Sequence, residues 1–397
     1  MLLIGLLSVV APRVSWQLGG GRTGSVRSDC WQSRWMGLAV GIITALIVYA
    51  AMPLLSLLNL EVKVEAVAKD YLAIVVFALP LLGVSLGLRN TIDGLGYPVV
   101  NMWVSLVCLL LNALLDYLFV FGAYGFPRLG AVGCAIATVG VVLLQIVAPA
   151  VITYVHKGIK PYRLLGQFIA PHFSKLKTLL LLGLPAAFAV TLEECFFTST
   201  SLLVAPMGTT QLAAHQVVLN IAMLALIFPI AMGQAAAILI GRSLGQSEPE
   251  NASKQARLFL AVLLSMMLFC TVLMLLGRGI LMSLFTDDQA VILLGSGLLM
   301  IVAFQLIVDG MQIGSNIALK GYQDTFVPAM FQLFSYWIIG FPLAFCLTKT
   351  NWLGPQGGVE SVWHALFTGL SVAAILGVWR LFTISAQFVN GDRTLVS

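Results

Sequence analysis

The sequence predicts an all-α polytopic membrane protein made of two repeated sets of helices, and three observations support this prediction. Sixty per cent of the 397 residues are hydrophobic and only 9% are charged, whereas soluble domains average about 45–50% and about 25%. The mean hydropathy is +1.00. The chain contains ten long apolar runs, and its second half repeats features of its first half at a constant spacing. Lipid is therefore the solvent for most of these side chains.

The apolar runs define the helices in order, because a bilayer core of about 30 Å needs roughly 20 apolar residues per helix. The predicted spans are 35–60, 71–88, 98–122, 131–155, 178–204, 213–240, 258–285, 290–318, 326–347 and 359–385. A half-run over 1–12 precedes them. The prediction is ten full transmembrane helices plus one half helix.

The loop charges predict the orientation of these helices. One alternating set of loops holds 16 Lys and Arg residues; it comprises 13–34, 89–97, 156–177, 241–257, 319–325 and the tail after about 379. The other set holds five. By the positive-inside rule, the first set and the C-terminus face the cytoplasm.

An internal repeat relates the two halves of the chain. Asp93-Gly94 pairs with Lys320-Gly321, and Gly130-Ala131-Val132 pairs with Gly357-Gly358-Val359, both at an offset of 227 residues. Segments 53–58 and 280–285 share that offset. The repeat predicts a parent architecture of six plus six helices. We expect that the first copy lacks one helix and half of the next, roughly 50 residues.

The repeat also predicts the domain organisation. An incomplete N-terminal lobe, helices 2–6, occupies 1–160, a cytoplasmic linker occupies 161–177, and a C-terminal lobe, helices 7–12, occupies 178–397.

Several functional classes are disfavoured. The chain has no H-E-x-x-H, P-loop or Cys/His metal spacing, so it does not resemble a metalloenzyme or an ATP-driven pump. The net charge of +5 lies in short loops rather than in a basic patch for nucleic acid. The six scattered cysteines are most simply small hydrophobic residues.

Ionisable groups at bilayer depth are costly, so each is a functional hypothesis. Four acids qualify: Asp116, Glu193, Glu194 and Asp309. Polar side chains at helical spacing accompany the last three acids, and those that could line a cavity are Gln305, Gln312, Asn316, Thr198, His215, Gln216 and Asn220. Two carboxylates at one cavity could bind a cation or hold a proton, and a cationic substrate would compete for the same charge. Neither Glu193 nor Asp309 has an obvious basic partner at similar depth.

Alternative interpretations stay open for several of these residues. Glu193 and Glu194 point about 100° apart on a helix and cannot both face one point. Asp116 could be a water-exposed residue near a helix end, and His215 could be a helix-packing or interfacial histidine. The hydroxyls over 198–201 could bond back to their own helix.

Specific motifs resemble the NorM branch of the multidrug and toxic compound extrusion (MATE) family. They lie over 183–185 (Gly-Leu-Pro), 203–208 (Leu-Val-Ala-Pro-Met-Gly), 213–217 (Ala-Ala-His-Gln-Val), 319–324 (Leu-Lys-Gly-Tyr-Gln-Asp), 335–342 (Ser-Tyr-Trp-Ile-Ile-Gly-Phe-Pro) and 350–353 (Thr-Asn-Trp-Leu). The resemblance covers essentially the whole chain.

The resemblance implies a two-lobed MATE-type fold that exports cationic amphipathic compounds, such as drugs and dyes, in exchange for sodium or protons. Glu193 and Asp309 match the family's cation-binding acids in the second lobe, and sodium is the metal expected there. Gln305 stands where relatives can carry a tyrosine, so the coordination shell could differ. A further acid is expected in the family's first helix, which this chain does not contain. The implied location is the bacterial inner (plasma) membrane, with a monomer as the expected state and no cofactor beyond the coupling ion.

Three other functions compete with a drug exporter. A flippase for lipid-linked precursors would favour a strongly cationic cavity. An inactive truncated relative or a non-transporting membrane scaffold would need no coupling site. An intramembrane enzyme is disfavoured because no catalytic set is present.

Overall fold

A computed structural model describes residues 1–58, 61–350, 352 and 357–393. The last two residues of the predicted span 35–60, and Asn351 and Leu353 of the motif at 350–353, lie outside the described residues. Within the described ranges the chain is helical and contains no strand. The all-α prediction is confirmed.

Eleven helices of the described chain are long and apolar enough to cross a membrane. They are α1 (Leu2–Gly19), α2 (Thr23–Ala51), α3 (Val62–Gly94), α4 (Pro98–Phe121), α5 (Ala131–Val155), α6 (Phe173–Val204), α7 (Thr209–Gly245), α8 (Pro249–Ser283), α9 (Gln289–Leu319), α10 (Phe326–Lys349) and α11 (Val359–Asn390). Helix α10 contains a π-helical stretch over Leu333–Gly340. The predicted half helix over 1–12 extends to Gly19 and makes the eleventh span.

The helices are longer than their apolar runs, which corrects the loop predicted at 13–34. Only 20–22 separate α1 from α2. Two of the charged residues in this segment, Arg13 and Asp29, are buried between the two helices. Arg13 donates to Asp29 at 2.9 Å, and Gln17 donates to the same carboxylate at 2.6 Å. A buried ion pair that is also hydrogen-bonded can be accommodated inside a protein.

The repeat register is confirmed by the helix starts. Adding 227 to the first residues of α2, α3, α4 and α5 (23, 62, 98 and 131) gives 250, 289, 325 and 358. Helices α8 to α11 begin at 249, 289, 326 and 359. The sequence offset therefore reports a structural repeat.

The chain forms two compact units, Leu6–Gly183 (the N-terminal unit) and Met1–Gly5 with Leu184–Ser397 (the C-terminal unit). Within the first unit, α3 is the central helix and packs mainly against α2 and α5. Its repeat partner α9 is central in the second unit and packs against α7, α8 and α11. The predicted lobe boundaries at 160 and 178 stay a prediction.

Candidate functional site

Helix α9 places a polar stripe in the interior of the C-terminal unit. Gln305 and Asp309 are each only 3% exposed, and Gln312 is fully buried. These residues are spaced by four and three positions, so the helix presents them on one face. The fourth predicted member, Asn316, is half-buried beside Gly377 of α11. The central helix of the unit thus carries a carboxylate among amides.

Helix α6 brings a second carboxylate to the same place. Glu193 is half-buried, and the Gln332 side chain of α10 donates to its Oε2 atom over a long 3.5 Å. The carboxylates of Glu193 and Asp309 are close enough for their charges to interact. Two acids from separate helices therefore lie within electrostatic range of each other inside one unit.

Helix α10 completes the site with side chains that the sequence analysis did not select. Gln332, Ser335 and Tyr336 are buried, and the tyrosine interacts electrostatically with both acids. Its ring stacks on Phe196 at 4.9 Å between centroids. Ser335 and Tyr336 belong to the π-helical stretch, a local widening that is frequent at functional sites. These three polar residues stand at i, i+3 and i+4 in an apolar helix, a spacing that predicts one polar face. This pattern is the sequence signal that could have identified them.

Several buried polar atoms on α9 and α10, the helices that carry Asp309 and Tyr336, have no protein partner. Within the described chain, no hydrogen-bond partner is found for Gln305 Oε1, Asp309 Oδ1, Gln312 Oε1 and Nε2, Gln332 Oε1, Ser335 Oγ and Tyr336 Oη. Buried polar groups are almost always hydrogen-bonded, so each exception needs an explanation. Most of these atoms are oxygens, the ligand type that hard cations prefer.

The described residues hold no group of three or more His, Cys, Asp or Glu side chains that could bind a metal ion by themselves. A cation held by Glu193 and Asp309 would therefore complete its coordination with amide and hydroxyl oxygens.

The expectation that the acids lack a basic neighbour is wrong for Glu193. Lys320, at the cytoplasmic end of α9 in the predicted orientation, interacts electrostatically with Glu193. Lys320 follows the end of α9, whereas Glu193 lies on α6, so the two residues are neighbours only in the folded chain.

Other predicted residues of the C-terminal unit lie away from this cluster or have partners. Glu194, Thr198, Gln216 and Asn220 are exposed. Thr198 donates to the carbonyl of Glu194, and Asn220 donates to that of Gln216, so both bond back to their own helices.

His215 is fully buried. It lies 3.1 Å from the Ser201 hydroxyl and packs against Trp363, with 5.3 Å between ring centroids. These contacts favour a helix-packing role for this histidine.

Asp116 belongs to the N-terminal unit. It is half-buried on α4, where its carboxylate interacts with Cys134 of α5. Its Oδ1 atom has no hydrogen-bond partner among the described residues.

The family model described as MatE matches residues 1–118 and 185–346. The chain is 31% identical over 98% of its length to a probable multidrug resistance protein NorM from Idiomarina loihiensis, covering 84% of that protein. It is also 31% identical over 97% of its length to multidrug resistance protein NorM from Vibrio cholerae, again covering 84%.

A crystal structure of the Vibrio cholerae MATE transporter VcmN in the bent form superposes with a TM-score of 0.81. The two are 20% identical, and the match covers 98% of this chain and 85% of VcmN. This likeness shows that the two chains share a fold.

Proposed function

The chain belongs to the MatE family, and on that premise we propose that it is a secondary active antiporter that exports drug-like compounds in exchange for a cation. Members of this family are polytopic membrane transporters and not enzymes. We place the chain in a bacterial inner membrane as a monomer, with its C-terminus in the cytoplasm. The bacterial NorM relatives support the membrane location, and the excess of Lys and Arg in one set of loops supports the orientation.

The observation that carries the proposal is the pair of interacting acids in the C-terminal unit, together with the unpartnered buried polar atoms on α9 and α10. An isolated carboxylate in a water-poor interior is strongly disfavoured unless a counter-ion or a proton neutralises it. Glu193 and Asp309 can share one cation, with Tyr336 Oη and Gln305 Oε1 as neutral ligands. A sodium ion or a proton would serve.

Exchange follows from competition for this charge. A cationic substrate and a coupling cation cannot both be stabilised by the same carboxylates, so binding of one weakens binding of the other. When the coupling cation replaces the cationic substrate, the two carboxylates remain neutralised, and no covalent step is needed. This logic favours cationic amphipathic substrates, a class consistent with the multidrug resistance proteins that the chain resembles.

A flippase for lipid-linked precursors is less well supported. Such a substrate carries phosphate groups and needs a cationic cavity. The site described above has two carboxylates against Lys320, a balance that suits a cation better than an anion.

The test is dye efflux from energised vesicles that contain Glu193→Gln, Asp309→Asn or both. Each change keeps the side-chain shape and removes the charge, so we expect normal membrane abundance and at least about a tenfold loss of ion-driven efflux. Glu194→Gln is the matched control. It removes the same kind of charge from the adjacent residue, whose side chain is exposed. Its activity should remain near that of the unmodified chain.

The same assay separates the alternatives. Sodium gradients and proton gradients are imposed separately to identify the coupling ion. Ion-driven efflux that survives in the double variant would place the coupling site elsewhere. No efflux from the unmodified chain under either gradient would favour the non-transporting alternative.

A further inference from the structure

A basic cavity of about 390 Å³ lies in the N-terminal unit, away from the site described above. It is formed by the start of α2, the end of α5 and the loop that follows α5. Its polar lining comprises Arg27, Thr153, Tyr154, Lys160, Arg163 and Gln167. Three of these side chains are cations, and the lining contains no acid. The cavity is therefore suited to an anion.

The arginine that α2 contributes to the lining is only partly satisfied by the protein. A terminal nitrogen of Arg27 donates to Gln167 over 3.4 Å, but its Nε atom is buried and has no partner among the described residues. The acid that lies two residues further along α2, Asp29, is already paired with Arg13. A guanidinium that the protein holds by one long hydrogen bond, in a cavity lining without an acid, is well suited to a phosphate oxygen at its terminal nitrogens.

The loop is held in place by its own packing. Ile159 and Leu164 are fully buried, and the Tyr154 hydroxyl donates to the Leu165 carbonyl at 3.2 Å. Between these anchors, Arg163 adopts a left-handed conformation with φ of 45°, which is uncommon for a residue with a side chain. The loop thus presents Lys160 and Arg163 on a fixed backbone.

An apolar stripe on α5 leads to the cavity. Leu143, Val147, Val151 and Tyr154 recur at helical spacing, and each is about half exposed, between 46% and 56%. Tyr154 belongs to both the stripe and the cavity lining. An amphiphile with an anionic head and extended hydrocarbon chains matches this combination.

We propose that this cavity binds the headgroup phosphate of an anionic phospholipid, whose acyl chains lie along the α5 stripe. The three cations supply the charge, and the apolar stripe distinguishes a lipid from free phosphate. Basic pockets at the membrane surface are a recurrent way to bind anionic headgroups.

The proposal is tested by native mass spectrometry of the purified full chain, titrated with dioleoyl phosphatidylglycerol. We expect one saturable lipid adduct, bound at least about tenfold more tightly than dioleoyl phosphatidylcholine, which has the same chains and no net charge. The variant carrying Arg27→Gln, Lys160→Gln and Arg163→Gln should lose about tenfold or more in affinity. Equal binding of the two lipids, or unchanged binding by the variant, would overturn the proposal.

Three controls distinguish specific lipid binding from a general effect of charge, from misfolding and from binding of free phosphate. Lys177→Gln, Lys254→Gln and Arg257→Gln together remove three exposed charges outside the cavity, and this variant should bind as the unmodified chain does. The double variant Lys160→Gln, Arg163→Gln alters only exposed side chains, so weaker binding there is not due to misfolding. Displacement of the lipid by an equal concentration of inorganic phosphate would identify a free-phosphate site instead and overturn the lipid assignment.

Discussion

Tyr336 shows how a single hydroxyl can be buried without a protein partner and still be held firmly. Its ring is fixed by stacking on Phe196, and its hydroxyl interacts electrostatically with the carboxylates of Glu193 and Asp309. A hydroxyl that bonds to no protein atom adds little to folding stability, since its desolvation is not compensated within the protein. We infer that the function of this hydroxyl is to bind the coupling cation.

We predict that Tyr336→Phe leaves the thermal unfolding temperature nearly unchanged and weakens the apparent affinity for the coupling cation about three- to tenfold, because one neutral oxygen ligand is lost. The measurement is efflux as a function of ion concentration. Tyr322→Phe is the control, since this second buried tyrosine of the same unit packs on Phe388. Equal effects of both changes would contradict a specific role for Tyr336.

The site was only partly predictable from the sequence. Glu193 and Asp309 stand out because a carboxylate in an apolar run has few explanations. Tyr336 and Lys320 do not stand out in the sequence. Tyrosine is common at membrane interfaces, and lysine is common in the loops that follow membrane helices. Their importance depends on contacts between helices that are distant along the chain.

At the scale of single elements, helix ends were the least predictable feature. Hydropathy detects the apolar middle of a helix and misses the polar turns that extend it. For this reason α1 appeared as a half-run, and its last turns and the first turns of α2 appeared as one long loop. The polar residues of those turns pack on each other, as the bonds from Arg13 and Gln17 to Asp29 show.

We predict that Asp29→Asn lowers stability by about 3–5 kcal/mol, because it leaves the buried Arg13 without its counter-charge. The readout is thermal unfolding in detergent. Glu65→Gln is the matched control; it breaks the partly exposed pair with Lys69 on α3 and should cost only about 0.5 kcal/mol. If removing Asp29 proved no more harmful than removing Glu65, the ion pair would not be a stabilising link between α1 and α2.

Helices α2 and α3 cross very closely at a pair of glycines. Gly37 of α2 and Gly83 of α3 face each other so closely that a Cβ atom on either would overlap the backbone carbonyl of the other. Small residues allow this approach between membrane helices. Gly83→Ala should therefore destabilise the fold by about 1–3 kcal/mol.

Gly297 supplies the comparison for Gly83. It lies within α9 with open space where a Cβ would stand, so Gly297→Ala should be neutral or stabilising by up to about 1 kcal/mol, since alanine favours a helix. Both variants are measured by thermal unfolding and by recovery after purification. Similar values for the two would show that the α2–α3 crossing tolerates a methyl group.

At the scale of the whole molecule, the number of helices between two loops decides which side of the membrane each loop faces. Helices α2 to α5 separate Arg22 from Lys157, and α6 and α7 separate Lys157 from Gln246. Because an even number of membrane-crossing helices separates each pair, all three positions lie on the same side of the membrane. Helix α8 alone separates Gln246 from Gln289, which must then lie on the other side.

The loop charges assign those sides. The loops that contain Arg22, Lys157 and Gln246 belong to the set that, counted with the polar helix ends beside each loop, carries 16 of the 21 Lys and Arg residues. We therefore predict that this set faces the cytoplasm. Single cysteines at Lys157→Cys, Gln246→Cys and Gln289→Cys, on a background without the six native cysteines, are treated with a membrane-impermeant maleimide on intact cells. Only Gln289→Cys should react. All three exposed positions should react after the cells are permeabilised, which controls for accessibility. Reaction at Lys157→Cys and Gln246→Cys in intact cells, with Gln289→Cys protected, would invert the topology and place the basic lipid cavity on the outer face.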